Sequence, residues 1–212
     1  MKQRTRAVPL PWLKPAVLTG SLVPLGALVL RAAVGELGSN PISEALNALG
    51  LLALIFLVAS LACTPAKVLF GWTWPIRIRR MLGVLAFVYA LLHFLTYAVL
   101  DQGLDLATLW EDVTKRKFIF VGFAALLLLL PLTLTSTDSS VKRLGYVRWK
   151  RLHRLAYLAG GLGVIHYVWR VKADLTEPVV YGLILGGLLL VRVIDFLRSG
   201  RRKPKPRVAA KA

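Results

Sequence analysis

The chain has one cysteine, Cys63, three histidines and ten acidic residues in a length of 212. A lone cysteine excludes an intrachain disulfide, and without any Cys-x-x-Cys-His string a covalently attached c-type haem is excluded as well. No glycine-rich phosphate loop and no nucleophile constellation occurs, so the chain is not expected to oxidise a nicotinamide nucleotide by itself. Carboxylates are nearly missing from the apolar stretches, with Asp195 near the end of the last one as the exception. Charged residues make up only 18% of the chain, against about a quarter in soluble domains.

What is present is apolar: 57% of the residues are hydrophobic. They fall into six runs long enough to cross a bilayer, at about 12–31, 45–63, 81–100, 118–135, 151–170 and 178–197. The expected fold is therefore all-α, a polytopic membrane bundle of six transmembrane helices in a single domain, 1–200. A basic tail, RRKPKPRVAAKA at 201–212, is expected to be disordered. The first run follows basic residues as a signal peptide would, but Arg31 precedes the Ala32-Ala33 pair and spoils the cleavage site, so the segment is expected to be retained.

The formal charge of +18 would suggest nucleic acid in a soluble chain. Here the Lys and Arg residues lie in short runs between apolar segments, which reads as membrane topology and lipid surroundings with no nucleic-acid partner. Twenty-two of them, including Lys67, Arg77, Arg79, Arg80, Arg148 and Arg151, fall at one side of the expected bundle and six at the other, with eight of the ten acids. Both termini are expected to be cytoplasmic.

All three histidines lie within or at the mouth of these spans, where an ionisable group is costly and marks a functional-site candidate. Imidazole is a common ligand of haem iron and other metals. With this topology the third and fifth spans run outward, which places His93 and His166 at similar depth in the outer half. Two axial imidazoles from separate helices could clamp one haem iron there, in the manner of cofactors bound in bundle cores. His153 falls at the cytoplasmic mouth, about 20 Å from His166 along a helix. Thirteen residues of about 100° each put these two roughly 140° apart, so they share a stripe only if the helix is distorted. Gly160, Gly161 and Gly163, which lie between them, either permit that distortion, admit a porphyrin, or serve helix packing.

Four strings carry a family likeness: IRIRRMLG at 76–83, LLHFLTYAVL at 91–100, LTSTDSSVKRLGYVRWKRLH at 134–153 and IHYVWRVK at 165–172. Together, in this order and at this chain length, they resemble the MsrQ (YedZ) family, haem-binding membrane subunits of the MsrPQ protein-methionine-sulfoxide reductase system within the ferric reductase-like transmembrane group. The resemblance implies a subunit of the bacterial inner membrane that carries electrons but does not itself act on the sulfoxide. Its donor would be the quinone pool or a cytoplasmic flavin reductase, and its acceptor the periplasmic molybdoenzyme MsrP, which repairs methionine sulfoxide in proteins. It implies haem b, one or two groups, with His93 and His166 as ligands of the outer haem and His153 as a ligand near the cytoplasmic side. The family is also described with FMN, for which this chain shows no motif.

One departure bears on the second haem. Members of the wider group with two bis-histidine haems carry two histidines on each ligand helix, whereas here Arg80 and Arg79 stand thirteen and fourteen residues before His93. Arginine is a poor iron ligand but its planar fork suits a haem propionate or another anion; positive-inside anchoring explains the same residues.

Trp72, Trp74, Trp110, Trp149 and Trp169 near span ends read as an aromatic belt. Asp101, Asp105, Glu111 and Asp112 form an acidic outer loop that would dock a partner or simply reflect charge asymmetry. Thr135, Ser136 and Thr137 would bond a cofactor or cap a helix end. The rival reading is a small proton channel or transporter in which the histidines relay protons without haem; it would favour carboxylates within the spans.

Overall fold

The structure, a computed structural model, describes residues 10–171 and 173–200. The tail expected at 201–212 lies outside the described residues. Nine α-helices follow one another among these residues, with no strand: α1 (Leu13–Ala33), α2 (Pro41–Phe70), α3 (Trp74–Leu95), α4 (Leu106–Lys115), α5 (Lys117–Leu134), α6 (Asp138–Leu144), α7 (Tyr146–Leu152), α8 (Leu155–Arg170) and α9 (Thr176–Gly200). A π-helical turn, Thr96–Asp101, extends α3.

Local chemistry sets the helix ends. Asn40 caps α2, its side-chain oxygen accepting the Ser43 N–H at 3.0 Å, and Pro41 occupies the first turn, where a missing N–H costs nothing. The helix stops at Gly71, whose φ of +71° is the left-handed conformation a residue with a Cβ resists. Asp105 and Thr137 cap α4 and α6 in the same manner, accepting from Ala107 N and Ser140 N.

Five helical segments are long and apolar enough to cross a membrane: 13–33, 41–70, 74–101, 117–134 and 176–198. The chain is a multi-pass membrane protein. The fifth expected span, 151–170, departs from the expectation. Its polar start leaves the helix: α7 ends at Leu152, the chain turns through His153 and Arg154, and only the 16 residues of α8 continue regularly. That length is about 24 Å, short of the roughly 30 Å hydrocarbon core. The distortion between His153 and His166 is therefore real, and it lies at the start of the segment rather than at its glycines.

The bundle is sealed where α2, α3, α5, α8 and α9 meet, in a cluster of Leu57, Leu61, Ala86, Leu129, Leu132, Ala159 and Leu185. Ala86 and Ala159 are wholly buried and Gly160 abuts Leu61 and Leu185, the small-residue contacts that let membrane helices approach closely. Gly160 thus serves packing, the simplest of its expected roles. Large apolar side chains on the outside are left bare, among them Val23 at 66%, Leu183 at 72% and Phe196 at 72% exposure. In water such a surface would aggregate; lipid tails cover it without cost.

Packing also fixes which ends lie together. Leu13 of α1 clusters with Cys63, Ile78 and Leu82, and Arg192 of α9 donates to the Leu61 carbonyl at 2.6 Å. The start of α1 and the last third of α9 therefore lie at the end of the bundle that carries the basic α2–α3 turn. We call this the basic end, and the opposite end the outer end.

Candidate haem site at the outer end of the bundle

A cavity of about 660 Å³ opens at the outer end, between α2, α3, α5 and α8. Its depth is apolar, lined by Leu54, Leu57, Leu126 and Leu129, while charged side chains stand at its mouth. His93 from α3 and His166 from α8 both line it, with ring centroids 6.1 Å apart and ring planes at 84°. The similar depth expected for these two is what the fold delivers.

Each ring is held by a backbone carbonyl. His93 Nδ1 lies 2.8 Å from Leu46 O in the first turns of α2, and His166 Nδ1 lies 2.7 Å from Phe118 O at the start of α5. A carbonyl oxygen only accepts, so Nδ1 carries the proton in both rings and Nε2 keeps the lone pair. That is the tautomer a metal ligand requires, fixed by the kind of outer-shell bond that orients ligating histidines. The rings also sit in notches cut by glycine. A Cβ on Gly122 would stand 2.6 Å from His166 Nδ1, and one on Gly50 would stand 3.1 Å from His93 Nδ1.

The donor set fits haem iron on geometry. Two imidazoles bound through Nε2 at about 2.0–2.1 Å to a shared metal have ring centroids roughly 6.3 Å apart, close to the 6.1 Å found here. The crossed ring planes are compatible, since each imidazole turns freely about its metal–nitrogen axis. A cavity of this size lies within the range of sites for large organic ligands, about 300–1,000 Å³.

His153 is not part of this site. At the turn between α7 and α8 its ring stacks on Trp149 at 4.0 Å, and its Nε2 lies 3.1 Å from Thr135 Oγ1. Trp149 is itself buried and donates to Thr135 O at 2.8 Å, so it belongs to the core of the basic end and not to the aromatic belt; Trp72, Trp74, Trp110 and Trp169 are exposed as expected. Thr135 and Ser136 bond back to Pro131 and Leu132 carbonyls, and Thr137 caps α6. Arg79 reaches Thr64 at 3.3 Å. Arg80 pairs with Asp138 at 2.6 Å and holds that exposed carboxyl below its ordinary pKa.

The acidic outer loop is largely committed within the chain. Asp105 is the α4 cap, Glu111 pairs with Lys115 at 2.7 Å, and Asp112 is buried between the Tyr97 hydroxyl and Arg116. Asp101, Asp105 and Glu111 all keep the exposed character expected of docking charges, and Asp101, which accepts from Gln102 Nε2 at 2.7 Å, also lines the cavity mouth. Sequence reasoning missed Gly50, Gly122 and the Tyr97–Asp112–Arg116 link. The signal for the link was present, because an acid one turn before a basic residue in an amphipathic segment is an i,i+4 pair. Nothing in the sequence marked which glycines would face a histidine.

Residues 45–164 match the family described as the ferric reductase like transmembrane component. The chain is 53% identical over 196 residues to a Deinococcus radiodurans protein named protein-methionine-sulfoxide reductase heme-binding subunit MsrQ, covering 92% of this chain and 96% of that one. A Rhodospirillum rubrum protein of the same name is 51% identical over 191 residues, covering 90% and 92%. This chain belongs to the MsrQ family. The match reaches well beyond the ferric reductase-like core of 45–164, and it takes in all three histidines and both arginines flagged from sequence.

Proposed function

We propose that this protein is the haem b-carrying electron-transfer subunit of a protein-methionine-sulfoxide reductase system in the bacterial inner membrane, with His93 and His166 as the axial ligands. The observation that carries the reading is the pair of rings across the outer cavity, each locked by a carbonyl in the tautomer that leaves Nε2 free. Bound there, haem supplies one-electron chemistry within reach of the outer surface. The chain's part is to hold and shield: Leu46 and Phe118 carbonyls keep both imidazoles oriented, and the leucine-lined depth excludes water. Electrons would come from the quinone pool or a cytoplasmic flavin reductase at the basic end and leave to periplasmic MsrP at the outer end. FMN enters this proposal through the family resemblance alone. The proton-channel reading gains nothing from the structure, as His93 and His166 face each other at one depth while His153 sits apart beside Thr135.

The test is direct. Purified, reduced protein mixed with oxidised MsrP and a methionine sulfoxide substrate is expected to show reoxidation of a b-type haem spectrum. An active partner that leaves the haem reduced refutes the assignment of electron flow.

At the basic end, His153 with Arg79 and Arg80 forms the proposed region of electron uptake. For His153 to ligate a second haem through Nε2, its bond with Thr135 must be exchanged for the metal. His153→Ala is expected to slow reduction by the quinone or flavin donor while the outer haem stays bound, read by stopped-flow absorbance beside haem quantification. Complete haem loss in that variant would contradict the separation of the two ends.

A further inference from the structure

The mouth of the outer cavity is lined by acids and bases whose partners are almost all internal. Glu44 pairs with Arg31 at 2.6 Å, Arg116 pairs with Asp112 at 2.8 Å, and Glu177 accepts from the Tyr167 hydroxyl at 2.5 Å. Arg170 is different. It is half-buried, it lines the cavity, and among the described residues no carboxylate lies within ion-pair distance of it. A half-buried guanidinium facing a low-dielectric cavity needs an anion or retained water.

Its position says which anion. Arg170 is four residues after His166 on α8, so it stands on the same helix face one turn, about 5.4 Å, nearer the mouth. The depth of the cavity is hydrocarbon and cannot take a carboxylate. A haem, held by His93 and His166, is an apolar macrocycle with two carboxylates on one edge. Only one orientation puts the apolar edge among the leucines and the carboxylates at the cation.

We propose that Arg170 is the carboxylate anchor of this cavity: its planar fork binds a propionate of the haem and sets the acidic edge of the macrocycle toward the outer mouth. The proposal rests on the haem reading above. Arg170 is a positioning residue here, since iron ligation belongs to the two histidines.

Haem release from the purified holoprotein into excess apomyoglobin measures this without any assay of electron transfer. Arg170→Gln is expected to release haem about tenfold faster or more, the scale of one charge-assisted hydrogen bond, with Arg170→Lys intermediate and the six-coordinate spectrum unchanged in both. Protein reconstituted with haem dimethyl ester, which lacks the carboxylates, is expected to lose it equally fast in the wild-type and Arg170→Gln backgrounds. Equal release of free-acid haem from wild type and Arg170→Gln overturns the proposal. So does equal release of acid and ester from the wild type, an arm that stands even if the variant fails to assemble. A wild-type protein that binds no haem, or whose haem survives loss of both histidines, would instead overturn the parent reading.

Discussion

His93→Ala and His166→Ala are each expected to strip haem from the purified protein, with retained haem falling roughly a hundredfold or more, since loss of an outer-shell partner alone costs ligating sites 10–100-fold. Each removes one of two axial ligands that lie 6.1 Å apart and leaves the other ring bonded to its carbonyl. Haem quantification beside a reduced-minus-oxidised spectrum reads the result. The helices should survive, because neither ring is part of the buried cluster that seals the bundle, and circular dichroism at wild-type intensity would separate haem loss from misfolding. Full haem content with an unchanged spectrum in both variants would show that the iron, if bound, lies elsewhere.

A second large effect is expected at a residue that touches no ligand directly. Gly122→Ala places a Cβ 2.6 Å from His166 Nδ1 and 2.8 Å from Cε1, distances that no relaxed structure contains. The imidazole must swing away, which breaks its 2.7 Å bond to Phe118 O and misdirects Nε2. Alanine is the best helix former, so α5 itself gains about 1 kcal/mol in propensity while haem retention drops about tenfold or more. Gly50→Ala meets His93 at the looser distance of 3.1 Å and should lose less. The ordering of the two glycine variants is the sharp part of the prediction: equal haem retention in both would mean that neither notch positions a ring.

These two glycines show where reading the sequence stops. The three histidines were conspicuous because imidazole is rare and expensive inside apolar spans, and the spacing of span ends was enough to place His93 and His166 at one depth. Which glycine abuts which histidine depends on the rotation of α5 against α8 and of α2 against α3. Rotation is set by packing against neighbours, not by the length or hydropathy of a segment. Asp112 illustrates the same point from the other side. As one of four clustered acids it looked like solvent-facing charge, yet the turn of α3 into its π-helical end carries Tyr97 to it and closes it from water.

The sequence by itself determined that the chain is helical and membrane-spanning, how its basic loops are distributed, and which three side chains are candidate ligands. Each of these follows from local transfer energies: apolar runs partition into lipid, charges stay out, and buried imidazoles demand a reason. Tertiary structure decided that the 151–170 segment breaks at His153, where the ring stacks on Trp149 of the preceding turn and meets Thr135 from the end of another helix. It also decided that Arg170 is left facing the cavity without an ion-pair partner among the described residues, while its charged neighbours at the mouth are paired. The bonds from His93 Nδ1 to Leu46 O and from His166 Nδ1 to Phe118 O join residues 47 and 48 positions apart in the chain, and only the packed bundle brings such pairs to within a hydrogen bond of one another.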